Sequence, residues 1–150
     1  SLKFQHIYLG EILFNLSELK ELIFIEQIIK DLTINAIDYS GKFMDTGINI
    51  RKNTQISIVA EGQVDLFPDN SPGQYLTGPK GSGNGKGKDS NFLGGALIGK
   101  ISDSEFMIGE SLQLTPKTNF LEGRLFIQIV HSPWDNRSTG SYTLKIRSLN

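Results

Sequence analysis

The sequence predicts a mainly β protein, an antiparallel β-sandwich that carries an N-terminal helical segment. Apolar and polar residues alternate through most of the chain after Tyr39, which is the period of strands with one buried face. All five prolines and 15 of the 16 glycines also follow Tyr39, in clusters that separate these segments. We therefore expect a helical appendage or linker over residues 1–38 and a sandwich domain over residues 39–150.

The N-terminal part of the chain predicts a helix over residues 18–32. Ser17 suits an N-cap because its hydroxyl can accept a hydrogen bond from a free N–H of the first turn. Ile29 and Leu32 continue an apolar stripe at helical spacing. The preceding residues 4–16 fit a strand or a second helix. So broad an apolar surface must pack on the sandwich, on a protein partner, or in a homo-oligomer.

The strands of the predicted sandwich are short segments with strict period-two alternation. Turns rich in Gly, Pro, Asn and Asp separate them. The alternating apolar residues are Ile48 and Ile50; Ile56 and Ile58; Leu112 and Leu114; Leu125, Ile127 and Ile129; and Tyr142, Leu144 and Ile146.

Composition excludes several classes of function. The chain has 15 basic and 16 acidic residues, so it lacks the basic excess of a nucleic-acid-binding protein. It has no cysteine, which excludes disulfides, thiol nucleophiles and cysteine-ligated zinc. No apolar run is long enough to span a bilayer. The start of the sequence lacks the pattern of a signal peptide, and we expect a fragment of a longer protein, so no compartment is predicted.

Residues 78–101, "GPKGSGNGKGKDSNFLGGALIGKI", are the segment that most resembles a short motif. A phosphate-binding loop needs Gly-Lys followed by Ser or Thr, and neither Gly85-Lys86 nor Gly87-Lys88 meets that condition. We expect a glycine-rich surface loop followed by a strand. Its lysines, with Lys86 and Lys88 as candidate ligand contacts, either keep the loop soluble or bind an anionic ligand.

A family resemblance connects this segment to the rest of the chain. In order, the segments "DTGINIRKNTQISIVAEGQVDL", "GPKG", "LGGALIGKI", "EFMIGESLQL", "GRLFIQIVHS" and "TGSYTLKI" resemble the PA-IL-like bacterial lectin family. The resemblance covers about residues 39–146. It implies a jelly-roll-like sandwich of the galactose-binding type that binds carbohydrate, with calcium and sugar held between loops. The glycine-rich segment would then be a loop of the binding face.

The resemblance also implies where such a site would lie. The aromatic residue of the family's site corresponds to Leu66 or Phe67. The family's His and Gln, which contact sugar, fall in residues 82–88, where neither residue type occurs. The calcium loop corresponds to residues 131–142 and is shorter than in the family. The oxygen ligands that could replace the family's set are Asp135, Asn136, Ser138 and Thr139.

Residue chemistry in the same loop leaves two interpretations open for each candidate. Trp134 is the only tryptophan, and its ring would stack on a sugar or anchor the loop. Asp135 and Asn136 would bind Ca²⁺, which prefers oxygen ligands, or would form an Asx turn. Asp65 and Asp69 would add charge if their loop lies nearby.

These observations together predict a non-enzymatic recognition module. We expect it to bind a carbohydrate or another polar ligand, with the calcium and galactose site altered or lost. No nucleophile elbow indicates a hydrolase. The alternative is a structural or protein-interaction domain of a multidomain protein that does not bind sugar.

Overall fold

The protein, described by a computed structural model over residues 6–9, 12–15, 27–115 and 121–149, consists mainly of antiparallel strands, as predicted. Two sheets enclose a shared apolar core. The elements in chain order are β1 (His6–Leu9), β2 (Ile12–Asn15), β3 (Ile29–Asn35), α1 (Ala36–Tyr39), β4 (Met44–Ile50), β5 (Ile56–Asp65), β6 (Leu76–Thr77), β7 (Leu97–Ile101), β8 (Ser104–Met107), β9 (Ser111–Leu114), β10 (Gly123–Ile129) and β11 (Thr139–Ser148).

The two sheets differ in size and connectivity. The four-stranded sheet has the order β4-β10-β7-β8, and the five-stranded sheet has the order β3-β11-β5-β6, with β9 also paired to β5. The longest pairing joins β11 to β5, from Thr139 opposite Asp65 to Ser148 opposite Ile56. A separate antiparallel pair joins β1 to β2, with Leu9 opposite Ile12.

The core lies between the sheets and contains the alternating residues that the sequence predicts. Each sheet buries one face because side chains alternate along a strand. Fully burying such an aliphatic side chain contributes about 1.5–3 kcal/mol. The residues with essentially no exposed surface include Ile50, Ile56, Ile58, Leu125, Ile127, Ile129, Tyr142, Leu144 and Ile146.

The predicted helix over residues 18–32 is wrong at its C-terminal end. Ile29–Asn35 forms strand β3, which pairs with β11 along its whole length. The edge of β11 supplies backbone partners, and this pairing overrides a helical pattern that is only local. Leu32 packs against the core, whereas Ile29 is 66% exposed, so these two residues of the apolar stripe do not form one buried face.

The remainder of that predicted helix, including its cap, lies outside the described residues. The five-stranded sheet includes β3, which precedes the predicted boundary at residue 39. The division into an N-terminal appendage and a sandwich domain stays a prediction. Strands β1 and β2 lie in the segment for which the sequence left strand and helix open.

The helix α1 is a single turn that follows β3. The Asn35 side chain accepts a hydrogen bond from the backbone N–H of Asp38 at 2.8 Å, which is an N-cap contact. Across the described ranges, no helix has the length and apolar character needed to cross a membrane.

Three long connections meet at one end of the sandwich. They are the β5–β6 loop (66–75), the β6–β7 loop (78–96) and the β10–β11 loop (130–138). The pairs Ile129–Leu97 and Thr139–Asp65 bring their strand ends together. This end of the sandwich contains the predicted site residues.

Candidate functional site

The β10–β11 loop is organised around Ser132. The buried Ser132 hydroxyl donates to Asn136 Oδ1 at 2.8 Å and accepts from the Trp134 N–H at 3.2 Å. The Asp135 N–H donates to the Ser132 carbonyl at 3.3 Å, and Asp135 has a left-handed backbone with φ of 57°. Asp tolerates this conformation better than most residues. The turn orients the consecutive side chains of Trp134 and Asp135 towards different neighbours.

On one side of this loop, three rings form a cluster that we call the aromatic corner: Phe67, Tyr75 and Trp134. The Trp134 ring lies 5.4 Å from Phe67 and 4.7 Å from Tyr75, measured between centroids, in edge-on or tilted arrangements. Such pairs contribute about 0.5–1.5 kcal/mol beyond the area that they bury. Trp134 nevertheless remains 41% exposed, so its ring is both positioned and accessible.

Two carboxylates fix the β5–β6 loop beside the aromatic corner. Asp65 accepts from the N–H groups of Phe67 at 3.0 Å and Gly73 at 2.8 Å. Asp69 accepts three hydrogen bonds from Arg137 Nε and Nη2, the shortest at 2.7 Å. The Arg137 guanidinium lowers the pKa of Asp69 and has its own pKa raised in return. Both carboxylates therefore have partners within the chain.

On the other side of the loop lies an open cleft of about 390 Å³. It is bordered by the β6–β7 loop, the segment after α1, and the outward faces of β8 and β10. We call it the polar cleft and define it by Lys42, Lys88, Asp89, Glu105, Gln128 and Asp135.

A chain of polar contacts forms one wall of the polar cleft. Lys88 Nζ lies 2.5 Å from Asp135 Oδ2, and His131 Nε2 lies 3.1 Å from Asp135 Oδ1. His131 Nδ1 lies 3.1 Å from Ser40 Oγ. The hydrogen bonds from Lys88 and then His131 lower the pKa of Asp135, and Asp135 raises the pKa of Lys88. The chain joins the β10–β11 loop to the β6–β7 loop and to the end of α1.

The glycine-rich β6–β7 loop packs closely against the β10–β11 loop. Gly87 N–H donates to Phe92 O at 2.8 Å, and Lys88 N–H donates to Ser132 O at 3.4 Å. A Cβ atom at Gly87 would overlap Val130 Cγ1 and the backbone oxygen of His131. Glycine is therefore required at position 87, because only a residue without a side chain permits this close approach.

Tyr142 braces the loops from inside the sandwich. Its fully buried hydroxyl donates to Gly95 O at 2.7 Å and lies 2.9 Å from Gly78 O. Burial raises the pKa of this phenol. The sequence identified Tyr142 as a core residue, but nothing in its local pattern indicates this contact with the β6–β7 loop.

The structure brings some of the predicted ligand-contact residues to the two surfaces and buries one of them in the core. Phe67 and Trp134 meet in the aromatic corner, and Lys88 lies in the polar cleft. Lys86 is exposed and is not part of either surface. Leu66 is wrong as a ligand contact because its side chain is completely buried in the core.

The predicted calcium ligands have different surroundings. Both Asp135 carboxylate oxygens contact cationic or imidazole nitrogen, and the Asn136 amide donates to Leu66 O at 2.6 Å. The Ser138 hydroxyl is buried and has no hydrogen-bond partner within the described residues, while Thr139 begins β11. Within residues 27–115 and 121–149, no cluster of three or more His, Asp or Glu side chains could hold a metal. Calcium binding by these oxygens stays a prediction.

Comparison with known proteins gives a likeness in fold. No protein-family model matches the chain, and no curated protein matches it. Among solved structures, it is similar to a chain described as the EclA N-terminal domain, a PllA-like lectin. The TM-score is 0.60 at 17% identity, over 81% of this chain and 97% of that one. At this identity the likeness shows the fold, which is a lectin-like β-sandwich.

Proposed function

We propose that this protein is a non-enzymatic module that recognises carbohydrate at the aromatic corner. The observation that carries the proposal is Trp134, which is 41% exposed and positioned by the rings of Phe67 and Tyr75. An indole face can stack on the apolar C–H face of a sugar, and its N–H can donate to a hydroxyl. A ring that is already positioned loses little freedom on binding.

Polar groups beside the ring would supply orientation. Arg137 and Asp69 connect the same two loops as the Phe67–Trp134 contact, and both side chains are more than half exposed. The guanidinium keeps donors that the carboxylate does not use, and the carboxylate keeps free acceptor positions. Sugar hydroxyls both donate and accept, so such a pair suits them.

The fold and the order of the sequence segments support kinship with the PA-IL-like lectins, with an altered site. Lys88 forms an ion pair with the one carboxylate of the predicted calcium loop, and His131 contacts its other oxygen. A bound Ca²⁺ would have to displace that ammonium group. We therefore propose that sugar binding here does not require calcium.

The test is a titration of the single tryptophan with a saccharide panel, with and without calcium. We expect a shift of Trp134 emission with at least one sugar and no dependence on calcium. Binding measured by calorimetry should disappear in Trp134→Ala. It should persist in Val59→Ala, which truncates an exposed apolar side chain on the five-stranded sheet.

An unchanged emission spectrum across the panel, together with a silent glycan array, would overturn the proposal. That outcome would favour the alternative of a structural or protein-interaction domain. A partner or homo-oligomer contact through the N-terminal segment stays a prediction, and sedimentation of the whole chain would test it.

A further inference from the structure

The polar cleft contains side chains without partners. Within the described part of the chain, Lys42, Asp89, Glu105 and Gln128 make no side-chain hydrogen bond or ion pair, although all four line the cleft. Glu105 and Gln128 project from strands β8 and β10, which flank β7 in one sheet. Strand positions hold side chains more firmly than loop positions do. The cleft thus presents available amide and carboxylate groups on a rigid surface.

The charges of the cleft indicate the kind of ligand. Lys42 and Lys88 face three carboxylates, those of Asp89, Glu105 and Asp135, and Lys88 is already paired with Asp135. The formal sum of these five groups is a single negative charge, so the cleft has no strong preference for a charged ligand. A neutral ligand with many hydroxyl groups can use both donors and acceptors. The volume of about 390 Å³ is near the lower limit for small-molecule sites.

The cleft is next to the aromatic corner in the chain and in space. Trp134 contacts the rings on one side of the loop, and Asp135, the following residue, contacts Lys88 and His131 on the other. A sugar chain that extends from a unit stacked on Trp134 across this loop therefore reaches the polar cleft.

We propose that the polar cleft is a second subsite, which binds a neutral sugar unit linked to the unit on Trp134. The ligand is then an oligosaccharide rather than a single sugar. This inference rests on the proposed function. The cleft is open and polar, so it would bind a lone sugar weakly. A linked unit arrives without a second loss of translational freedom, which raises the overall affinity.

The experiment compares methyl galactoside, methyl mannoside and methyl glucoside with galactobiose, mannobiose and cellobiose, using Trp134 emission and calorimetry. For the sugar type that binds, we expect the disaccharide to bind about tenfold more tightly than the monosaccharide. Glu105→Ala and Gln128→Ala should each reduce this ratio. Glu61→Ala and Gln55→Ala, which truncate exposed side chains of the same types elsewhere, should leave it unchanged. Because a ratio is measured within each variant, general loss of folded protein does not alter it.

The outcomes separate the two proposals. Equal affinity for mono- and disaccharide, with binding still lost in Trp134→Ala, overturns the subsite and leaves the proposed function intact. A disaccharide gain that survives Glu105→Ala and Gln128→Ala also overturns the subsite, because the second unit then binds elsewhere. If no saccharide of this set binds and the wider panel and glycan array are also silent, both proposals are overturned.

Discussion

The aromatic corner and the polar cleft lie on opposite sides of one loop and are held together by different interactions. The corner consists of three packed rings of which Trp134 stays exposed, whereas the cleft wall is a chain of polar contacts from Lys88 through Asp135 to His131. Both depend on the turn at Ser132 and on the left-handed backbone of Asp135. The difference shows how one short loop can present an apolar and a polar surface side by side.

This shared support leads to a general expectation. A change that displaces the β10–β11 loop should disturb both surfaces. A change to the ion pair or carboxylate of one side should leave the other side largely intact. Substitutions on the two sides of the loop test that distinction.

Gly87→Ala should be the most damaging substitution. The new Cβ would overlap Val130 and the His131 backbone, and overpacking of this kind costs up to about 3 kcal/mol. We expect a lower melting temperature, a shift in Trp134 emission and loss of sugar binding. Gly83→Ala is the matched control, because a Cβ there meets no atom within 4 Å. Equal melting temperatures for the two variants would contradict close packing of the β6–β7 loop.

Tyr142→Phe should have the next largest effect. It removes the hydroxyl that donates to Gly95 O, whereas Gly78 O keeps the N–H of Gly81 and the hydroxyl of Thr77 as donors. A buried group left unpaired costs about 1–2 kcal/mol. Chemical denaturation should show this loss, and Trp134 emission should respond as the loops loosen. Tyr39→Phe is the control, since its phenol makes no hydrogen bond within the described residues. A Tyr142→Phe variant as stable as Tyr39→Phe would mean that the phenol does not brace the loops.

The elements that could be predicted from the sequence are those with local causes. Ile56 and Ile58 are correctly predicted as buried, because side-chain alternation is a property of the strand itself. Ile29 and Leu32 are three residues apart, and this spacing alone does not distinguish a helix from the strand that they form. The partner that makes them a strand is β11, at the far end of the chain. No local pattern carries that information.

The same limit applies to the candidate site. Trp134 and Phe67 could be identified individually, one by its rarity and the other by family resemblance. The contact of Trp134 with Tyr75 and the pairing of Lys88 with Asp135 join distant segments, and only the folded loops bring them together. Leu66 failed as a ligand contact because its side chain enters the core at the bend after β5, and only the folded chain shows that direction.

Lys88→Met should change the cleft and leave the aromatic corner unchanged. Without its ammonium partner, the Asp135 carboxylate becomes available to Ca²⁺, which prefers oxygen ligands. Calcium should then raise the melting temperature of Lys88→Met more than that of the unmodified protein. The gain is about 0.4 kcal/mol when calcium equals its dissociation constant.

Lys86→Met is the matched control for this substitution, because Lys86 is an exposed lysine of the same loop outside the cleft. Adding Asp135→Asn to Lys88→Met should abolish the calcium response. If the unmodified protein already responds to calcium as strongly as Lys88→Met does, then Lys88 does not block the predicted metal ligands, and calcium-independent sugar binding loses its support.

Acidification should produce the smallest effect, and it should distinguish the response of the aromatic corner from that of the polar cleft. Arg137 lowers the pKa of Asp69 below the ordinary value of 3.8, so the ion pair stabilises the folded state above that value. This contribution is lost as the pH falls through the lowered pKa, when Asp69 binds a proton and releases Arg137. Because both side chains are exposed, the change in melting temperature should be slight. Trp134 emission should nevertheless show an acid step, since the pair connects the two loops of the aromatic corner.

Asp69→Asn should remove this step, whereas Asp135→Asn, which alters only the cleft side, should retain it. A step that persists in Asp69→Asn and disappears in Asp135→Asn would show that the aromatic corner responds to the polar cleft, and that the two surfaces are not independent.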